Sequence, residues 1–257
     1  MSTVGFSTSL REPRSTRAHD LWTPARKRGS RGRVRRFQSG SSGVERPDGA
    51  SKATIRTRSF GEGYRPTAVD RFGIWLSRRQ IQRWVPSLQG KVVGDFGCGF
   101  NAQLARSVLD QVERAYLVDV SLAPDLVAHN RVVAVQGALP DAMRSVPGRS
   151  LDVALCISVL EHLSEPDLML QAMERVLKPG GTALVNVPSW RGKAFLEFSA
   201  FRLGLSPAAE MDDHKTYYDV RDLWPKLVKA GFRPSRIRCF SHKFGLNTFA
   251  VCRTDCP

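Results

Sequence analysis

The stretch Val92-Val93-Gly94-Asp95-Phe96-Gly97-Cys98-Gly99-Phe100-Asn101 constrains this chain more than any other. A short apolar run ends at Asp95-Phe96, and two closely spaced glycines follow before a polar residue opens the next segment. Such a pattern predicts a buried strand that turns sharply into a helix. Gly97 lets the chain turn tightly, and Gly99 lets backbone approach a ligand with no Cβ in the way. The spacing reads Asp-x-Gly-x-Gly-x-Asn, so the GxGxxG pattern of a dinucleotide-binding turn is not met and a dehydrogenase is disfavoured.

The segments around this turn alternate in character. β-rich apolar runs fall at Val92–Phe96, Ala115–Val120, Arg131–Gln136, Leu151–Ile157, Thr182–Pro188, Arg236–Phe240 and Asn247–Cys252. Helical spacing marks Pro66–Val85, Ala102–Val112, Pro166–Leu177 and Val220–Ala230. Strands separated by helices imply parallel pairing with right-handed crossovers, hence an α/β, doubly wound sheet. The last two strands are joined by the short link Ser241–Leu246 with no helix, which predicts an antiparallel hairpin at the end of the sheet.

Charge divides the chain in two. The 257 residues carry a formal net charge of +15, and residues 1–70 alone hold 15 Lys and Arg against 6 Asp and Glu. Residues 1–58 are rich in Ser, Gly, Pro and Arg, with too few apolar side chains to offset chain entropy, so a disordered tail is expected there. Three roles fit such a tail: a phosphate-binding arm for nucleic acid, an organelle-targeting segment, or an extension without function. Residues 59–257 are expected to form the folded domain. Its excess of positive charge is only +6 from residue 71 onward, which argues against a broad nucleic-acid surface. The five cysteines show no zinc spacing and read as free thiols of a reducing compartment. No apolar run approaches the roughly 20 residues of a membrane span, and the N-terminus lacks a secretory apolar core. A soluble, cytoplasmic protein is the expectation.

A second site signal lies 22 residues after Gly97. Tyr116-Leu117-Val118-Asp119-Val120 puts Asp119 at a strand end, where a carboxylate can accept both hydroxyls of an adenosine ribose; a helix-capping aspartate would look the same. After the third strand, Gly137-Ala138 is small enough for backbone to bond an adenine edge.

Taken in order, Asp95-Phe96-Gly97-Cys98-Gly99, Asp119, Leu151–Leu163 and Val176-Leu177-Lys178-Pro179-Gly180-Gly181-Thr182 resemble the successive motifs of class I S-adenosylmethionine (SAM)-dependent methyltransferases. The match runs from about Val92 to Arg253 and is nearest the small-molecule group with a Leu160-Glu161-His162-Leu163 segment after strand four. The resemblance implies a Rossmann-like, seven-stranded, mostly parallel sheet with an antiparallel last strand, and SAM as cofactor. Gly97 and Gly99 would wrap its methionine end, Asp119 would hold the ribose and Gly137-Ala138 would contact adenine. Asp95, Cys98, Val120 and Ser158 complete the expected cofactor-binding set. Asn101 departs from the glycine often found there, and Gln136 from a frequently acidic residue.

Methyl transfer from a sulfonium needs an aligned acceptor, and a base when that acceptor is a hydroxyl. His162 after strand four is the first candidate base, and His214 in the 189–218 lid segment is the second. Glu161 either receives the ring proton of His162 or is a solvated charge. Some relatives bind a divalent metal through Glu-x-x-Glu-His; here Ser158 replaces the first Glu, so no metal is expected. No Asn/Asp-Pro-Pro-Tyr and no Pro-Cys nucleophile occurs, which disfavours base-nitrogen and C5-cytosine transfer. The aromatic lid, with Trp190, Phe195, Phe198, Phe201, Leu203 and Leu205 interleaved with Arg191, Lys193 and Arg202, suits an acceptor with a ring and an anionic portion, or else packs as an amphipathic helix. A hydroxyl or simple amine on a small-molecule or sugar-type acceptor is therefore expected. An RNA methyltransferase tethered by the tail and a non-catalytic SAM- or nucleic-acid-binding module are the alternatives. Oligomeric state leaves no trace in the sequence.

Overall fold

The computed structural model describes residues 59–63, 67–195 and 214–256. The tail expected over residues 1–58 lies outside them, as does most of the lid, including Phe198, Phe201, Arg202, Leu203 and Leu205.

Seven strands form one sheet: β1 (Val92–Phe96), β2 (Arg114–Asp119), β3 (Val132–Gln136), β4 (Leu151–Ile157), β5 (Leu177–Pro188), β6 (Ile237–His242) and β7 (Asn247–Arg253). Their order is β3-β2-β1-β4-β5-β7-β6. β1 to β5 pair in parallel, while β7 runs antiparallel to both β5 and β6. This is the doubly wound sheet with the terminal hairpin that the alternation and the short link predict. The order of strand addition reverses between the parallel neighbours β1 and β4, so the carboxyl ends of these two central strands open a crevice where ligands bind in such sheets.

Side chains alternate along each strand and feed two cores. Val153 and Leu155 face α1 (Ala68–Trp84), α2 (Gln103–Arg106) and α3 (Pro124–Val127), together with Leu117, Leu184, Phe249, Ile81 and Leu126. Ala154 and Cys156 face the other way, onto α4 (Pro166–Val176) and α5 (Val220–Lys229). In α4, Met169, Leu170, Met173 and Val176 recur at helical spacing and are all buried. Asp167 in its first turn binds Lys226 and Lys229 of α5 at 2.7 and 2.9 Å, which fixes the two helices side by side.

Two expectations need correction. The helix expected over Ala102–Val112 is confined to Gln103–Arg106. The Ser107 hydroxyl donates to the Leu104 carbonyl at 2.7 Å, and Arg131 Nη1 gathers the carbonyls of Leu109, Asp110 and Val112. Those carbonyls are satisfied from outside, so the segment closes as turns. Strand β5 also starts five residues early: Leu177 pairs with Leu151 before a bulge resets the register to Val153–Thr182.

Candidate cofactor and acceptor site

The turn after β1 has the backbone that only glycine takes readily. Gly97 sits at φ 73° and Gly99 at φ 75°. A Cβ on Gly97 would collide with Val159, and one on Gly99 would stand 2.9 Å from the Phe60 carbonyl oxygen. Cys98 between them is half-buried, its Sγ 3.9 Å from the Val118 carbonyl. Burial, with the Asp95 and Asp119 charges nearby, holds its thiol protonated.

Asp119 closes β2 beside this turn. Its Oδ2 accepts the Gly99 N–H at 2.7 Å, and its Oδ1 accepts the Val120 N–H at 2.8 Å. The carboxylate is thus fixed on the glycine turn by backbone donors. The Ser59 hydroxyl also donates to Oδ1, at 2.5 Å. Gly137 at the end of β3 donates its N–H to the Asp119 carbonyl, so Gly137 and Ala138 flank the same crevice. Ser158 ends β4 exposed at φ 58°, its N–H held by the Asn186 carbonyl at 2.7 Å.

Asp95 is buried, and its Oδ2 has no hydrogen-bond partner among the described residues. Burial first, and the Asp119 charge second, push its carboxyl up from 3.8 to about 7. An orphaned buried carboxyl beside a glycine turn fits a ligand that brings a cationic or N–H group, as the methionine end of SAM does. The crevice therefore brings together a glycine turn, a carboxylate fixed by backbone donors and an unsatisfied buried acid.

After β4, the structure brings together His162 and His214, which are distant in sequence. Their ring centroids are 4.8 Å apart. His162 belongs to a 3₁₀ turn, Leu160–His162, directly after β4. The segment that follows His214 runs along this turn: Lys215 N–H donates to the Glu161 carbonyl at 2.7 Å, and Tyr218 N–H to the Pro188 carbonyl at 3.0 Å. His214 Nδ1 lies 3.1 Å from the Tyr217 hydroxyl, and Trp190 packs 5.6 Å from the Tyr217 ring. Candidate ligand atoms of buried Glu161, His162 and His214 all lie within 4.8 Å of one another. A cavity of about 570 Å³ adjoins the same turn, lined by Leu163–Leu168, Lys215, Thr216, Tyr218 and Lys226. None of the sequence-expected site residues lines it.

Sequence reasoning missed Ser59, which reaches Asp119 from 60 residues away. The glycines of Phe60-Gly61-Glu62-Gly63 were the available signal, since Phe100 N–H bonds the Phe60 carbonyl at 2.8 Å. It also missed Asn186, His242 and Lys243, whose positions emerge only from strand register.

A methyltransferase-domain family model matches residues 94–185. The chain is 30% identical over 169 residues to a ubiquinone biosynthesis O-methyltransferase of Bordetella pertussis, covering 62% of this chain and 68% of that protein. It is 31% identical over 129 residues to the enzyme of the same name from Pseudomonas paraeruginosa, covering 48% of this chain and 52% of that one. The chain thus spans between about half and two thirds of these relatives. A crystal structure of a SAM-dependent methyltransferase from Archaeoglobus fulgidus superposes with a TM-score of 0.51 at 14% identity, over 70% of this chain and 94% of that one. Sheet order, glycine turn and relatives agree, and the chain belongs to the class I SAM-dependent methyltransferases.

Proposed function

We propose that this protein transfers a methyl group from SAM to a hydroxyl of a small, ring-bearing acceptor. The observation that carries the reading is the His162–His214 pair, 4.8 Å apart after β4, on the same edge of the sheet as the glycine turn. SAM supplies an electrophilic methyl group on a sulfonium. In this reading Asp95, Gly97, Cys98 and Gly99 hold its amino-acid end, Asp119 and Val120 its ribose, and Gly137 and Ala138 its adenine, with Ser158 at the mouth.

His162 takes the hydroxyl proton as the oxygen attacks. His214 stands close enough to orient that ring and is itself fixed by Tyr217. Trp190 and Tyr217 offer an aromatic face against which the acceptor ring packs. The relatives named as ubiquinone biosynthesis O-methyltransferases support oxygen as the methylated atom. Purified enzyme supplied with SAM and a panel of phenols, sugars and amines tests the reading; transfer to amines alone would sink it.

A second reading rests on the cluster of Glu161, His162 and His214. These groups together suit a divalent cation that would lower the acceptor hydroxyl's pKa in place of a histidine base. Activity measured after chelation and dialysis separates the two: the base reading expects full activity, the metal reading its loss and recovery on adding metal.

A further inference from the structure

On the α1 side of the sheet, Asn186, His242 and the adjoining Lys243 carry polar atoms that have no hydrogen-bond partner among the described residues. Asn186 of β5 is completely buried, yet neither its amide nitrogen nor its amide oxygen has a hydrogen-bond partner among the described residues. It lies level with Ile157 of β4 and Phe249 of β7. Its neighbour two residues back, Leu184, packs in the same core as Ile81 of α1, so Asn186 faces that helix as well. His242 ends β6 two residues beyond Phe240, whose strand partner is Phe249. The His242 ring stands 5.4 Å from Phe249, edge to face, and its Nε2 is buried without a partner. Lys243 follows, and its Nζ makes no hydrogen bond or ion pair among the described residues. That ammonium lies 3.7 Å from where a Cβ on Gly73 of α1 would be, so it runs in beneath the helix.

Backbone geometry at the hairpin tip enforces this placement. Lys243 and Phe244 sit at φ 49° and 60°, a left-handed pair that non-glycine residues adopt at a cost. The tip leaves Phe244 82% exposed while turning the lysine inward. This reverses the usual partition of an aromatic and a charged side chain. Buried polar groups normally find partners, and the orphaned Asn186 amide and His242 Nε2, beside the half-buried Lys243 ammonium, call for a shared ligand.

We propose that Asn186, His242 and Lys243 form an oxyanion subsite that receives a carboxylate or phosphate group carried by the methyl acceptor. The subsite deepens the reading of this edge as the acceptor site and rests on it. Lys243 provides the charge, the Asn186 amide donates two further N–H bonds, and the His242 ring adds one from Nε2 in that tautomer. Burial lowers Lys243 to about 8, and the Glu161 carboxylate acts in the opposite direction. Burial and the Lys243 charge hold His242 down at about 4, which keeps its ring neutral. The Ser158–Asn186 backbone bond ties the subsite to the loop that carries His162, so one acceptor can span both.

The full chain saturated with S-adenosylhomocysteine is titrated with 4-hydroxybenzoate, 4-hydroxyphenyl phosphate and neutral 4-hydroxybenzamide. At least one of the anions should bind about tenfold or more tightly than the amide, and the better of them identifies the oxyanion. Lys243→Met should erase that preference with S-adenosylhomocysteine affinity unchanged, which also shows the variant is folded. Lys243→Arg should keep most of it, and Asn186→Leu should weaken it. Equal binding of all probes, no binding of any at millimolar concentration, or a preference that survives Lys243→Met overturns the subsite. Binding is read without turnover: anion preference with no methyl transfer sinks the hydroxyl-transfer reading alone, and transfer without anion preference sinks the subsite alone.

Discussion

The Ser59 hydroxyl donates to Asp119 Oδ1 at 2.5 Å, so a residue at the edge of the N-terminal region holds the carboxylate at the end of β2. Ser59 also accepts the Ser121 N–H at 2.8 Å, and both are anchored where Phe60 bonds Phe100. In the ribose role proposed for Asp119, this contact uses a lone pair that a ribose hydroxyl would need. Removing the hydroxyl in Ser59→Ala should therefore tighten SAM binding about 3- to 10-fold, the net worth of one such bond. Calorimetry decides it; weaker binding would show instead that Ser59 orients the carboxylate for the cofactor.

Asp95 makes the stability of the cofactor-free chain depend on pH. Its folded pKa of about 7 lies above the ordinary 3.8, so between these values the folded state keeps a proton that the unfolded state has released. The stability from this group is fully present below about pH 4 and is lost as pH rises through about 7. Melting temperature should fall from pH 5 to pH 8, and Asp95→Asn should flatten that fall. SAM carries positive charge and favours ionised Asp95, so its binding should release a proton near pH 6.5 to 7, read as buffer-dependent binding enthalpy.

Gly99→Ala tests the strap over the turn. The new Cβ would meet the Phe60 carbonyl at 2.9 Å, at a φ of 75° that alanine tolerates poorly. A loss of about 1 to 3 kcal/mol in folding stability is expected, with weaker SAM binding. Unchanged melting and affinity would mean that residues 59–63 do not lie where they are placed.

His162→Ala should lower the rate of transfer about 10²- to 10⁴-fold, the usual worth of a general base, with SAM affinity unaltered. His214→Ala should cost less, about tenfold, because it orients rather than accepts the proton. Single-turnover rates on an identified acceptor separate the two; full activity in His162→Ala removes it as the base.

Much of this was legible because it is local. Gly97 and Gly99 announce their left-handed backbone directly, Asp119 ends the apolar run Ala115–Val118 of β2, and His162 comes soon after the apolar run Val153–Ile157 of β4. The hairpin of β6 and β7 was readable from a link too short for a helix. What escaped depends on distant partners. Arg131 shortens α2 by taking carbonyls about 20 residues away, Ser59 meets Asp119 across 60 residues, and His214 meets His162 only after the chain returns along the β4 turn. No periodicity encodes such contacts. Lys243 reads as an ordinary hairpin lysine until its positive φ turns it beneath α1.

Calorimetric titration of SAM, and separately NAD, into the full chain and its Asp119→Ala variant tests the cofactor site most directly. Micromolar-range SAM binding, about −8 kcal/mol, with no NAD binding and about 100-fold weaker SAM affinity in the variant is the expected result. Absence of SAM binding in the parent chain, or equal affinity in the variant, would contradict a cofactor site built on the β1 turn and Asp119.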